Sequence, residues 1–140
     1  TAYEMLRSLV GSEMCIRDRF TGDQYLQDED GYYWHQGRSD DMLKVGGLWV
    51  SPAEIENVLS VHEAVSDCAV VGHYDQVGLL KPKAFVCLHD EVAYSDAVLG
   101  ELVKLCAKSL DAHKRPRWLE FIDELPRTAT GKLQRFRLRE

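Results

Sequence analysis

The sequence predicts a small α+β domain, in which a short β-hairpin leads into a mostly three-stranded sheet packed with helices. Three observations predict it. Short apolar runs of strand length recur at residues 42–45, 48–50, 65–72, 83–89 and 117–122. Two longer stretches, 52–60 and 95–110, carry apolar residues at helical spacing. Turn formers punctuate the chain, above all Asp30-Gly31 and Gly46-Gly47. The order reads as four strands, a helix, two strands, a helix, a strand and a short last helix, a mixture that builds an α+β domain.

Each element has a local cause. Residues 21–27 and 32–36 flank Asp28-Glu29-Asp30-Gly31, and Asp-Gly between such runs is a hairpin signal. His35 is expected on the strand surface and not as a ligand. Gly46-Gly47 is a tight turn between the strands 42–45 and 48–50. Ser51 then reads as a helix N-cap, Pro52 as the first helical residue and Glu54 as the capping-box partner. The helix runs to about Ser60, with Ile55, Val58 and Leu59 as its apolar face. Residues 61–64 connect it to a strand at 65–72, whose buried run is Ala69-Val70-Val71. A polar loop at 73–79 precedes the strand at 83–89. Ser95 or Asp96 begins the second helix, with Val98, Leu102, Leu105 and Cys106 inward. Pro116 ends an irregular piece at 111–115. A strand at 117–122, a Gly-containing loop at 128–132 and a short helix at 134–139 complete the chain. There is no internal repeat and no low-complexity linker.

Composition bounds the function. A chain of 140 residues that is 45% apolar can bury one core, with room for a fragment of a second domain. A net charge of −6 argues against a general nucleic-acid binder. Charge is unevenly placed: from Lys114 onward the chain is rich in Lys and Arg. An acidic body with a basic tail suits an anionic small ligand held at one end. For Arg137 and Arg139 a solvated basic end is the simpler reading. Cys15, Cys68, Cys87 and Cys106 form no Cys-x-x-Cys pair and have no ligand-spaced His, so no metal set and no disulfide is expected. Buried thiols in a reducing cytosol account for Cys68, Cys87 and Cys106. No apolar run reaches membrane-spanning length, and no signal peptide is visible.

Three ordered motifs carry a resemblance. Thr21-Gly22-Asp23 comes first. The stretch from Gly37-Arg38-Ser39-Asp40-Asp41 through Lys44-Val45-Gly46-Gly47 to Pro52-Ala53-Glu54-Ile55-Glu56 follows. Pro126-Arg127-Thr128-Ala129-Thr130-Gly131-Lys132-Leu133-Gln134-Arg135 lies near the end. Together they resemble the C-terminal lid domain of the AMP-forming acyl-CoA synthetase superfamily, over about residues 20–140. The wording of Asp30-Gly31-Tyr32-Tyr33, Trp49-Val50-Ser51-Pro52 and Leu80-Lys81-Pro82-Lys83-Ala84-Phe85-Val86 looks most like benzoate- and other aryl-CoA ligases. Residues 1–19 depart from the family pattern. They resemble a translated sequencing-adapter string joined to a truncated gene, and are expected to be a non-native leader or, if native, a short weak helix. Residues 20–39 are then the hairpin that ends an N-terminal adenylation domain, and 40–140 the lid domain.

The resemblance assigns roles residue by residue. Thr21 and Asp23 match the family's nucleotide-binding motif, and one carboxylate can accept from both vicinal ribose hydroxyls. A turn Asp is the alternative for Asp23. Arg38 matches an Arg that contacts the nucleotide near ribose and phosphate, a task suited to a permanently charged fork. Asp40 matches the hinge about which the lid rotates. Asp41 is read as a solvated turn residue. Lys44 aligns with a nucleotide-contacting position in some members; a surface strand lysine is the other reading. Gly46 and Gly47 align with the pantetheine tunnel, where small size lets the CoA arm pass. Trp49 departs from the family, where a polar or Arg nucleotide contact is common, so packing against the partner domain is its reading. Lys132 matches the catalytic lysine of the last motif, whose compact ammonium stabilises charge on phosphate oxygens. Thr130-Gly131-Lys132 is not a P-loop, because that motif needs Gly where Pro126 stands and Ser or Thr where Leu133 stands. It reads instead as a mobile lid loop. Arg135 has two open readings, phosphate contact or docking of the loop.

The resemblance implies an acid–CoA ligase that uses ATP, forms AMP and passes an acyl group, aromatic by preference, to CoA. Magnesium would accompany ATP. The fragment is expected to be inactive without the missing N-terminal domain of the same enzyme, to contact neither nucleic acid nor membrane, and to be cytoplasmic. A medium-chain fatty acid–CoA ligase, a peptide-synthetase adenylation domain and a non-catalytic nucleotide-binding module are the alternatives.

Overall fold

The computed structural model describes the backbone of Met5–Arg7 and residues 22–139, and divides the chain into two compact units, Thr1–Met42 and Leu43–Glu140. The first unit is an antiparallel sheet in the order β1 (Met5–Arg7), β2 (Asp23–Gln27), β3 (Tyr33–Arg38). The expected hairpin forms because Asp28 organises its turn. The Asp28 carboxylate accepts the Tyr32 amide at 2.9 Å, the Asp30 amide at 3.1 Å and the Trp34 indole N–H at 2.7 Å. These bonds, the indole first, hold its carboxyl below the usual range. The leader does not form the expected helix at Met5–Arg7. Those residues pair with β2, whose open edge offers unpaired backbone groups. The rest of the leader lies outside the described residues.

In the second unit β4 (Leu43–Val45) and β5 (Leu48–Val50) form the Gly-Gly hairpin, followed by α1 (Pro52–Ser60). A three-stranded sheet then forms from β6 (Val65–Tyr74), β7 (Leu80–Leu88) and β8 (Trp118–Phe121). β6 is antiparallel and β8 parallel to the central β7. The parallel pair needs a long crossover, which α2 (Asp96–Ser109) supplies. Ser95 caps α2 as expected, accepting the Val98 amide at 3.3 Å.

Both faces of the sheet are covered, which explains why β6 and β7 read as continuous apolar runs. Val70, Ala84 and Val86 meet the hairpin, α1 and α2 through Leu43, Val50, Ile55, Leu59 and Leu102. On the opposite face Ala69, Val71, Phe85 and Cys87 meet Leu125, with Leu133 and Leu138 of the C-terminal tail packed beside them. Burial pushes the Cys68 thiol up to about 11 and raises Cys87 and Cys106 as well.

Several expectations change. The strands around the polar loop run further than 72 and start earlier than 83: His73 pairs with Lys81 and Tyr74 with Leu80, leaving a turn at 75–79. Pro82 is tolerated inside β7 because its carbonyl, and so the side of its missing N–H, faces Arg117 just ahead of β8. Ser51 makes no side-chain cap bond, and Glu54 instead meets Lys114 Nζ at 2.8 Å, so the capping box does not form. A buried Ser51 and a nearby ammonium outcompete the local pairing. The last helix is a 3-10 turn at Arg135–Leu138.

Candidate functional site

The first unit brings three expected residues together. Strand pairing sets Asp23 directly opposite Arg38. The chain then turns: the Ser39 amide and hydroxyl donate to the Gly22 carbonyl at 2.7 and 2.9 Å, and the Asp41 amide to the Arg38 carbonyl at 3.1 Å. This places Asp40 Oδ2 3.6 Å from Arg38 Nη2, with side chains 80% and 59% exposed. So loose an exposed pair is worth ~0–1 kcal/mol and leaves the guanidinium free to take an anion. Asp23 lies 3.6 Å from His35 Nε2, and His35 stacks edge-on with Tyr25. The unit therefore presents a hydrogen-bond acceptor beside a permanent cation. Thr21 lies outside the described residues.

In the second unit the Gly46-Gly47 turn has φ of +57° and +85°. Two positive values are what a two-residue turn with the twist of its strands demands, so backbone conformation alone selects glycine here. A Cβ at either position would meet nothing within 4 Å. Lys44 stands across the hairpin from Trp49, its ammonium 5.7 Å from the ring, and both are exposed. Gly46 borders a cleft of about 790 Å³ whose walls include Lys81, His113, Arg115 and Arg117. Asp75 is the acid in that wall. Its carboxylate is committed to the Leu79 and Val77 amides, each at 2.9 Å, which hold its pKa low with help from Lys81 and Arg117.

Lys132 sits near the tip of a tight hairpin. Its amide donates to Thr128 Oγ1 at 3.0 Å and its carbonyl accepts the Thr128 amide at 2.8 Å. The Gly131 amide closes the turn on the Thr128 carbonyl, with Gly131 at φ +83°. Among the described residues the Lys132 ammonium forms no ion pair, and its side chain is exposed. The loop's own bonds are thus made within its unit. Arg135 takes the docking reading: its Nη2 reaches Glu56 Oε1 at 2.7 Å and Oε2 at 2.9 Å.

Glu56, Arg127 and Thr128 stand in the quoted motifs without an assigned role, and Asp67 and the basic cleft stand outside them. Glu56 and Arg135 are separated by 79 positions, and Asp67 and Arg127 by 60. No local signal marks such pairs. Among the described residues no helix is long and apolar enough to cross a membrane.

Comparison with known proteins gives the family of the chain. The chain is 51% identical over 119 residues to a benzoate–CoA ligase of Thauera aromatica, covering 85% of this chain and 23% of that protein. It superposes with a TM-score of 0.82 on the crystal structure of an anthranilate CoA ligase in complex with anthranoyl-AMP, at 58% identity, covering 84% of this chain and 23% of that one. A benzoate CoA ligase from Burkholderia xenovorans gives a TM-score of 0.77 at 50% identity, over 86% and 24%. The chain thus spans about a quarter of the length of the proteins it matches. A model of the AMP-binding enzyme C-terminal domain matches residues 54–132, from the first turns of α1 to Lys132, and the chain belongs to that family.

Proposed function

We propose that this chain is the C-terminal part of an AMP-forming acid–CoA ligase that activates an aromatic carboxylate, with residues 20–39 ending an adenylation domain and 40–140 forming a lid. The observation that carries the reading is Lys132, an uncommitted ammonium on a hairpin pinned to its unit. In the first half-reaction a carboxylate oxygen attacks the α-phosphorus of ATP and pyrophosphate leaves, giving the acyl-adenylate. Lys132 stabilises the charge that develops on the phosphate oxygens, while Arg38 and Asp23 hold phosphate and ribose. In the second, the CoA thiolate attacks the acyl carbon and AMP leaves. Gly46 and Gly47 let the pantetheine arm pass, and the basic cleft beside Gly46 suits the anionic end of CoA.

Because the Lys132 hairpin is tied within its unit, Lys132 reaches and leaves the site only with the whole lid. Asp40, in the exposed turn just ahead of the boundary at Met42 and Leu43, is the place for that rotation. Among the described residues no group of three or more His, Cys, Asp or Glu side chains could hold a metal. Magnesium fits as a companion of the triphosphate. The aromatic preference rests on the benzoate and anthranilate ligases it resembles.

The test is a hybrid in which residues 22–140 replace the corresponding segment of the Thauera aromatica benzoate–CoA ligase. Lys132→Ala in it should slow benzoate-dependent pyrophosphate exchange by roughly 100- to 1000-fold, the cost of one preorganised charge. Thioester formation from supplied benzoyl-adenylate should survive. Unchanged exchange in the variant would remove Lys132 from the reaction.

A further inference from the structure

We propose that Glu56 is a positioning residue for Lys132: through its pair with Arg135, in which both carboxylate oxygens accept from Nη2, it fixes the root of the Lys132 hairpin to helix α1. The proposal rests on the role of Lys132 given above. Glu56 lies on α1, and β6 is the edge of its sheet. Its Oε1 accepts the Val70 amide at 2.8 Å, a donor of that edge strand. Both Oε1 and Oε2 hold the Arg135 guanidinium from the C-terminal tail. The Glu56 and Arg135 side chains are only 17% and 22% exposed, so the pair is screened far less than the surface pairs of this chain. The carboxylate therefore joins three layers: the helix, the sheet edge and the tail.

The second root of the hairpin is fixed in the same way. Arg127 pairs with Asp67 on β6 through one nitrogen and donates to the Gly131 carbonyl at 2.8 Å through the other. A bridge between Arg127 and Leu133 and a bond from the Gln134 amide to the Pro126 carbonyl close the base. Arg135 lies three positions after Lys132, a reach of at most about 10–11 Å. Fixing Arg135 limits how far the ammonium's attachment point can stray, and the bonds of the hairpin narrow it further.

The chemistry has a use for this confinement. An ammonium that stabilises a transition state must be held in place before the reaction, and misplacement by about 1 Å can cost roughly 100-fold. The same helix begins at the Gly-Gly hairpin, since Val50, Ser51 and Pro52 run directly from β5 into α1. Glu56 thus ties the two elements proposed for the two half-reactions to one helix at a fixed spacing. Apolar packing of Leu133 and Leu138 holds the tail against the sheet. The two ion pairs add lateral fixation at its ends.

Glu56→Gln in the hybrid ligase is the test, because the amide oxygen can still accept the Val70 N–H while the charge facing Arg135 is lost. Benzoate-dependent pyrophosphate exchange should fall by about 10- to 100-fold in kcat, with KM for ATP unchanged. Thioester formation from benzoyl-adenylate should be unaffected. The double variant Glu56→Gln/Lys132→Ala should be no slower than Lys132→Ala alone, since Glu56 acts only through the lysine. In the 140-residue chain, hydrogen exchange at the Lys132 amide should quicken in Glu56→Gln while that at Val86 in β7 does not. If Glu56→Gln does not fold, Arg135→Gln carries the same expectations, with Arg135→Lys falling between it and the parent. Full adenylation by Glu56→Gln, equal loss of both half-reactions, or losses that multiply in the double variant would each overturn the proposal. A normal Lys132→Ala enzyme would instead overturn the reading on which it stands.

Discussion

Gly46 allows the two reasons for a glycine to be separated in one experiment. Its φ of +57° is the ordinary left-handed value, which Asn adopts readily and which a β-branched residue adopts at a cost of about 1–2 kcal/mol. Asn followed by Gly47 is a preferred sequence for this turn, so Gly46→Asn keeps the hairpin. Replacing a glycine also narrows the unfolded ensemble, a gain of about 0.4–1 kcal/mol where the conformation is compatible. No atom lies within 4 Å of an added Cβ, so the side chain meets no protein group of its unit. The expected stability change for Gly46→Asn is therefore within about 1 kcal/mol of zero, and for Gly46→Val a loss of about 1–2 kcal/mol, both measured by urea denaturation of the 140-residue chain. Function should part from stability. Gly46 borders the basic cleft, so Asn there should slow thioester formation from benzoyl-adenylate in the hybrid ligase and spare pyrophosphate exchange. Two healthy half-reactions in Gly46→Asn would show that glycine serves the turn alone, and the CoA path would have to be sought elsewhere.

The remaining predictions concern the core that carries the site. Leu102 is completely buried between α2 and the sheet, and Leu102→Ala should cost about 2–5 kcal/mol in urea; a loss under 1 kcal/mol would mean the helix packs elsewhere. A Cβ on Gly72 would stand 2.8 Å from Leu80 Cδ1 and 2.9 Å from Leu43 Cδ2, so Gly72→Ala should destabilise by about 1–2 kcal/mol, and a stabilised variant would refute that close approach. The buried Cys68 thiol keeps its proton to about pH 11 in the fold, against 9.0 when exposed. The folded state then binds the extra proton between those values, so stability is complete below pH 9 and falls as pH rises towards 11, by roughly 2–3 kcal/mol. Cys68→Ala should lose that part of the alkaline slope, and an unchanged slope would place the thiol in contact with water.

Local signals made the fold legible where the cause was local. Gly-Gly between two apolar runs fixed the β4–β5 turn, Ser95 fixed the start of α2, and the apolar spacing of Ile55 and Leu59 fixed the inner face of α1. The misreadings share a different cause. Pro82 argues locally against a strand, yet it stands in β7 because its missing donor falls ahead of β8. Ser51 and Glu54 satisfy a capping box in sequence, yet Lys114, 60 positions away, takes the carboxylate. In both places a tertiary neighbour decided what the local pattern left open.

The same distinction runs through the candidate site. Lys132, Gly46 and Arg38 stand in ordered motifs, and their residue types alone suggest a cation, a permissive backbone and an anion fork. What the motifs do not show is how their residues pair, which is the proposed reason that Lys132 can be placed reproducibly. That reason is two ion pairs, Glu56 with Arg135 and Asp67 with Arg127, whose members are invisible as partners until the chain folds. Their consequence is mechanical. With both roots fixed, the proposed reaction, which needs Lys132 in one step and its absence in the next, is served by moving the second unit as a whole. In the mechanism proposed above, the Asp40 turn absorbs that rotation. Its exposed side chain and its loose pairing with Arg38 suit that role.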